Sequence, residues 1–152
     1  MTRNQTITLA AAGSAALLIG AFAFQYVGGL PPCKLCIWQR YPHVIAVLLG
    51  LLALRLQSAL LVVLGAVAAF ATAAVGLYHV GVEQVWWQGP TTCSSGPITG
   101  KSADELLDQI LSAQLVRCDE IAWEMLGISM AGWNALVSLG LAILWLTALR
   151  RR

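Results

Sequence analysis

The sequence predicts an all-α integral membrane protein, an antiparallel bundle of four transmembrane helices with a short amphipathic helix in its second outward loop. Three observations carry this. Apolar residues make up 59% of the chain and charged residues 11%, against a soluble norm of about 45–50% and about 25%. Mean hydropathy is +0.76. So few charges would leave a water-soluble surface uncovered, and burial in a bilayer removes that problem. Second, four apolar runs are spaced along the chain as a single membrane domain over 1–152. Third, a link of only about four residues, "RLQS" at 55–58, forces two of these runs into a tight antiparallel hairpin. A net charge of +2, with no basic tract interleaved with aromatics, argues against a nucleic-acid partner.

The first span is expected at about 7–27, which carries no charged residue and, at about 1.5 Å per residue, crosses a core of about 30 Å. "TRNQ" before an apolar run and "AFA" at 21–23 have the outline of a cleavable leader, but the single basic residue and the length of the run favour a retained span. The second, at about 37–54, is weaker. Fourteen residues separate Arg40 from Arg55 and reach only about 21 Å, so a re-entrant element competes. A helix beginning near Ile37, with Pro42 in its first turns and both arginines snorkelling, restores a full span. The third is expected at about 57–78. The fourth, at about 128–149, carries Trp133 and Trp145 toward the two interfaces and Asn134 near one end, within reach of water. Small residues such as Gly50, Gly65 and Gly140 permit close helix approach.

Charge sets the expected orientation. Arg3, Arg55 and Arg150–Arg152 lie on one side close to span ends; Lys34, Arg40, Lys101, Arg117 and all seven acidic residues lie on the other. The positive-inside rule places both termini in the cytoplasm and all four cysteines outside, in a disulfide-permissive compartment. The outward loops run about 28–39 and 81–126. In the first, "GGLPPC" ends the first helix and brings the chain extended into Cys33. In the second, Trp86 and Trp87 suit the membrane surface or a docking partner, and "TTCSSGPITGKS", 91–102, reads as a mobile loop. Ser102 and Glu105 then form a capping box for a short amphipathic helix over 103–116, whose apolar face is Leu106, Leu107, Ile110, Leu111 and Leu115.

Chemistry centres on "PPCKLCIWQRYP", 31–42. A Cys-x-x-Cys pair suits a zinc clip, a structural staple or a redox centre. Zinc is disfavoured because Cys93 and Cys118 lie 25 residues apart and form no second knuckle, so no metal is expected. As a staple the pair closes too short a loop to stabilise much. At a helix start, with Arg40 four residues after Cys36, the dipole and the guanidinium favour a Cys36 thiolate, and Arg40 could also meet a ligand carbonyl. Two outward pairs suggest a relay. The distal one would meet a soluble protein, and the proximal one, at the bilayer edge, a lipid-soluble two-electron acceptor such as a quinone.

With "FQYVGGLPPCKLCIWQRYP", four spans, the tiny 55–58 link, Cys93 and Cys118 in the long loop, and "VRCDEIAWEMLGISMAGWNAL" at 116–136, the chain resembles the DsbB family of disulfide bond formation proteins over nearly its whole length. The resemblance implies a quinone-dependent protein-disulfide oxidoreductase of the bacterial inner membrane. It would reoxidise a periplasmic thioredoxin-fold dithiol oxidase, DsbA, and pass electrons to ubiquinone or menaquinone. It further implies that Cys93 is attacked by the partner and pairs with Cys118, that Cys33 exchanges with Cys118, and that Cys36 engages the quinone beside Arg40. Gln25 matches a family glutamine near the quinone. Gln39 stands where a glutamate can occur. His79 either faces the quinone head group or marks the interface, and His43 has no assigned role. Two other classes remain open. A thiol reductase of the vitamin K epoxide reductase type also uses four helices and Cys-x-x-Cys, but with the pair nearer the last core helices. A disulfide-stapled scaffold predicts bonds indifferent to quinone and to thioredoxin-fold proteins.

Overall fold

The computed structural model describes residues 1–90, 102–105, 107 and 116–150. Its long helices are α1 (Arg3–Tyr26), α2 (Lys34–Leu56), α3 (Ala59–Glu83) and α4 (Met130–Leu149), with a small antiparallel ribbon, β1 (Glu124–Met125) and β2 (Ile128–Ser129), ahead of α4. All four are long and apolar enough to cross a membrane, so the chain is a multi-pass membrane protein. Packing runs from α1 to α2, α2 to α3, α3 to α4 and α4 back to α1, a closed ring of four.

The starts of α1 and α2 sit further out than hydropathy places them, because polar caps extend them. Thr2 and Gln5 form a reciprocal capping box that starts α1 at Arg3. Cys33 caps α2, its Sγ accepting from the Cys36 amide at 3.2 Å. The resulting 23-residue helix spans about 34 Å, which removes the shortfall of the second span. Pro42 therefore falls in the third turn rather than the first. The link between α2 and α3 shrinks to Gln57 and Ser58, with Gln57 in the left-handed region at φ 51°. Arg3 clamps it, donating to Gln57 Oε1 at 2.7 Å and to the Ser58 carbonyl at 3.2 Å.

The ribbon was not anticipated. Leu126 (φ 55°) and Gly127 (φ 74°) make a two-residue turn, and Met125 pairs with Ile128. Positive φ at both turn positions is what such a tight hairpin needs. The ribbon steers the chain from Cys118 into α4, which Ser129 caps by accepting from the Gly132 amide. Residues 103–105 and 107 are helical, and the Ser102–Glu105 capping box forms in both directions. The rest of the helix expected over 103–116, and the loop expected over 91–101, lie outside the described residues.

Two clusters fill the bundle. Toward the Arg3 end, Ile7, Ala10, Ala53, Val62, Ala69 and Leu141 pack around Trp145. The indole is fully buried, contrary to its expected place at an interface. Gly65 makes this possible, since a Cβ there would fall 2.8 Å from the indole ring. At the opposite end Cys33, Leu35, Val82 and Cys118 form a second buried cluster.

Candidate active site

The start of α2 and the last turn of α3 build the site. Capping places Cys33 Sγ 2.8 Å from Cys36 Sγ, longer than a disulfide, and Cys33, Cys36 and Cys118 are all unbonded. The hydrogen bond to Cys36, followed by burial, pushes the Cys33 thiol well above the ordinary thiol range, so Cys33 holds its proton. Cys93 lies outside the described residues. Cys118 is fully buried against Cys33, so two cysteines 85 positions apart in sequence meet at the end of the bundle.

His79 joins them. Its Nε2 donates to the Cys118 carbonyl at 3.1 Å and lies 3.6 Å from Cys33 Sγ, and its Nδ1 accepts from Gln39 Nε2 at 3.0 Å. The ring is 3% exposed, so it is an interior connector and not an interface marker. Sulfur and nitrogen atoms of Cys33, Cys36 and His79 lie within 4.8 Å of one another, the compactness of a metal cluster. Both imidazole nitrogens are engaged in hydrogen bonds, however, which among the described residues leaves two free ligands in this group where a structural site needs four.

Gln39 is the hub. Its amide nitrogen also donates to the Leu35 carbonyl at 3.2 Å, and its Oε1 accepts from Asn134 Nδ2 at 2.7 Å. Thr72 donates to the Gln39 carbonyl at 3.0 Å, and His43 Nε2 reaches Asn134 Oδ1 at 2.9 Å. Asn134 is thus a cross-link between helices, not a hydrated end residue. An amide at 39 both donates and accepts, which a carboxylate could not do.

Beside this network lies a cavity of about 260 Å³, walled by α1 residues Ala16, Leu17, Gly20 and Ala21 and reached by Cys36, Gln39, Arg40, His43, His79 and Asn134. Arg40 donates to Gln25 Oε1 at 2.5 Å and to the Ala21 carbonyl at 3.3 Å, with its guanidinium 5.0 Å over the Phe22 ring. Gln25 therefore orients Arg40 from behind. An apolar slot edged by a thiol, a guanidinium and imidazoles fits a flat, lipid-soluble ring that carries carbonyl oxygens.

Sequence reasoning missed four participants. Glu83, read as loop, is buried in the last turn of α3 and accepts from Ser129 Oγ. Trp123 packs against Phe24, ring centroids 5.0 Å apart and planes tilted by 54°, and walls the cavity. Arg117 and Asp119 pair at 2.6 Å across Cys118, and that hydrogen bond holds the Asp119 carboxyl below the usual range. The i, i+4 spacing of His79 and Glu83 was the available signal for the first, because it puts both on one helix face.

Comparison with known proteins agrees with this arrangement. Residues 3–148 match the family model "Disulfide bond formation protein DsbB". Proteins called disulfide bond formation protein B are similar throughout. That of Marinobacter nauticus is 33% identical over 91% of this chain and 86% of its own. That of Hahella chejuensis is 30% identical over 98% and 95%, and that of Verminephrobacter eiseniae 32% over 99% and 88%. No solved structure matches. With Cys33, Cys36 and Cys118 gathered at one end of four membrane-spanning helices, the chain belongs to the DsbB family of membrane disulfide bond formation proteins.

Proposed function

We propose that the protein is a thiol:quinone oxidoreductase of the bacterial inner membrane, which reoxidises a DsbA-like periplasmic thioredoxin-fold dithiol and passes the electrons to ubiquinone or menaquinone. The observation that carries this reading is the convergence of Cys33, Cys36 and Cys118 in one cluster at the end of the bundle, from which Cys36 opens onto an apolar cavity that Arg40 also lines. Both termini lie in the cytoplasm and all four cysteines face the periplasm, as the basic residues near the span ends favour.

The chain's own residues divide the work. Cys93 takes the attack of the partner's thiolate and releases Cys118. Cys118 then attacks Cys33, beside which it is already packed, and Cys36 leaves as a thiolate. The start of α2 and the guanidinium of Arg40, one turn on, favour that charge. A quinone bound in the cavity supplies the two-electron sink. Arg40, fixed by Gln25 and the Ala21 carbonyl, and the His79 side of the cavity orient its oxygens, while the α1 wall excludes water. His79 holds the backbone of Cys118 over Cys33, so the distal half of the relay docks on the proximal half.

The test mixes purified protein in detergent with ubiquinone and a reduced thioredoxin-fold dithiol, following quinone absorbance and partner thiols together. Equal loss of both, abolished by Cys36→Ser, is expected. No coupled change with either ubiquinone or menaquinone would sink the proposal and favour a reductase or a scaffold.

A further inference from the structure

Glu83 has no part in the relay described above, yet its side chain is only 5% exposed at the end of a membrane-spanning helix. A buried ionisable group in such a place needs partners or a task. Its Oε2 accepts from Ser129 Oγ, and its Oε1 lies 3.9 Å from His79 Nε2. With Cys33, Cys36 and His79 it lines a second cavity of about 40 Å³ that extends to Arg117 and Glu120, both exposed. Such a space admits a water molecule.

Closing the Cys33–Cys36 bond requires Cys33 to give up a proton, since it is the donor to Cys36. The groups that face this point are few. From α3 there is His79, whose Nδ1 accepts from Gln39 and whose Nε2 hydrogen goes to the Cys118 carbonyl, so it has no free lone pair. From α2 there are Cys36 and, across the larger cavity, Arg40; from residues 116–120, Arg117, Cys118 and Glu120; from β2, the Ser129 hydroxyl. Both arginines stay charged. Cys36 is the other sulfur of the bond being closed, and Cys118 is a free thiol with its own proton. Glu120 is paired with Arg117 at the surface. Among the described residues, Glu83 is the remaining acceptor.

We infer that Glu83 takes the Cys33 proton, through the small cavity, when the Cys33–Cys36 disulfide forms. The inference rests on reading Cys33 and Cys36 as the redox pair. The Cys33 S–H bond breaks and its proton passes to the Glu83 carboxylate, leaving a carboxylic acid. The sulfur's electron pair forms the bond to Cys36, and the leaving group on Cys36, a reduced quinone or, in the test below, a glutathione thiolate, departs with the two electrons. Glu83 then returns the proton past Glu120 to solvent.

The experiment uses oxidised glutathione in place of quinone. Fully reduced chain in detergent is mixed with it, quenched by alkylation and mapped by mass spectrometry. The glutathione adduct on Cys36 is followed as it converts to the Cys33–Cys36 bond, from mildly acid to alkaline pH. Glu83→Gln is expected to slow that conversion about 10–100-fold at neutral pH. It should meet the wild-type rate in alkali, where hydroxide takes the proton, and Glu83→Asp should restore part of the loss. A glutamine variant that closes the bond at the wild-type rate at every pH overturns the role of Glu83 alone. A wild-type chain that never closes the bond overturns the redox-pair reading and this inference with it. Should the glutamine variant not fold, infrared difference spectra of the unsubstituted protein decide. In time-resolved spectra, a protonated-carboxyl band that rises during bond closure and decays as the proton reaches solvent supports the transfer, and its absence refutes it.

Discussion

The two ends of the bundle solve the same packing problem in opposite ways. Around Trp145 the helices close on one another through alanines and Gly65. At the cysteine end the same four helices are held apart by a cavity and tied by side-chain hydrogen bonds that run from Cys118 through His79, Gln39 and Asn134 to His43. Small residues let backbones approach where only stability is required. Where chemistry is required, helix spacing is set by bonds that survive a gap between the helices. The closed end anchors the fold and the open end keeps its reactive groups in place.

Removing the anchor should have the largest effect. Trp145→Ala leaves a large void in the closed end and is expected to lower stability by about 3–5 kcal/mol, read as a lower thermal midpoint in detergent. Thiol–disulfide exchange per folded molecule should stay within about twofold of wild type, because no residue of the cysteine cluster touches the indole. A matching fall in exchange would mean that the two ends are not separable. Gln39→Glu attacks the other side of the comparison. A carboxylate there would face two acceptors, the Leu35 carbonyl and His79 Nδ1, and lose both donated bonds. A cost of about 1–3 kcal/mol is expected, with relay turnover falling more than stability does. Unchanged turnover would show that the network does not orient His79.

These contrasts explain what was legible in the sequence. Each of the four helices was visible because a bilayer demands long apolar runs, and the Cys33–Cys36–Arg40 spacing was visible because one helical turn fixes it. Helix ends were not, since hydropathy is blind to caps such as Thr2 with Gln5, and Cys33. The depth of Trp145 was hidden because an aromatic near a span end looks the same whether it meets lipid headgroups or a glycine notch. Asn134, His79 and Glu83 acquire their roles from partners on other elements, tens of residues away, and the i, i+4 spacing of His79 and Glu83 is the one local sign of it. The 126–127 turn was within reach, as its glycine follows a residue able to close a two-residue hairpin.

A smaller effect separates binding from positioning within the open end. Arg40→Lys keeps the charge but cannot span Gln25 Oε1 and the Ala21 carbonyl together. The ammonium is expected to raise the quinone concentration needed for half-maximal turnover about tenfold, with little change in thermal midpoint. Gln25→Ala should shift it in the same direction by less, since Arg40 keeps the Ala21 carbonyl and Phe22. If Gln25→Ala were the more damaging of the two, Gln25 would contact the quinone itself.

The least effect is expected at Asp119, where the cysteine end meets water. Its carboxylate takes two bonds from Arg117, at 2.9 and 2.6 Å, and so braces the turn that presents Cys118. The Arg117 hydrogen bond lowers the carboxyl's folded pKa. The brace is therefore fully present above the ordinary carboxylate range and is lost only as pH falls through the depressed value. Because the pair is largely in water, its contribution to stability should be small. Asp119→Asn should accordingly leave the thermal midpoint nearly unchanged at neutral pH while amide hydrogen exchange quickens across 116–120. Acidifying the wild-type protein should reproduce that local quickening, and acidifying the variant should add nothing further. An equal acid response in both would place the titrating group elsewhere, with Glu120, the other carboxylate on Arg117, as the next to substitute.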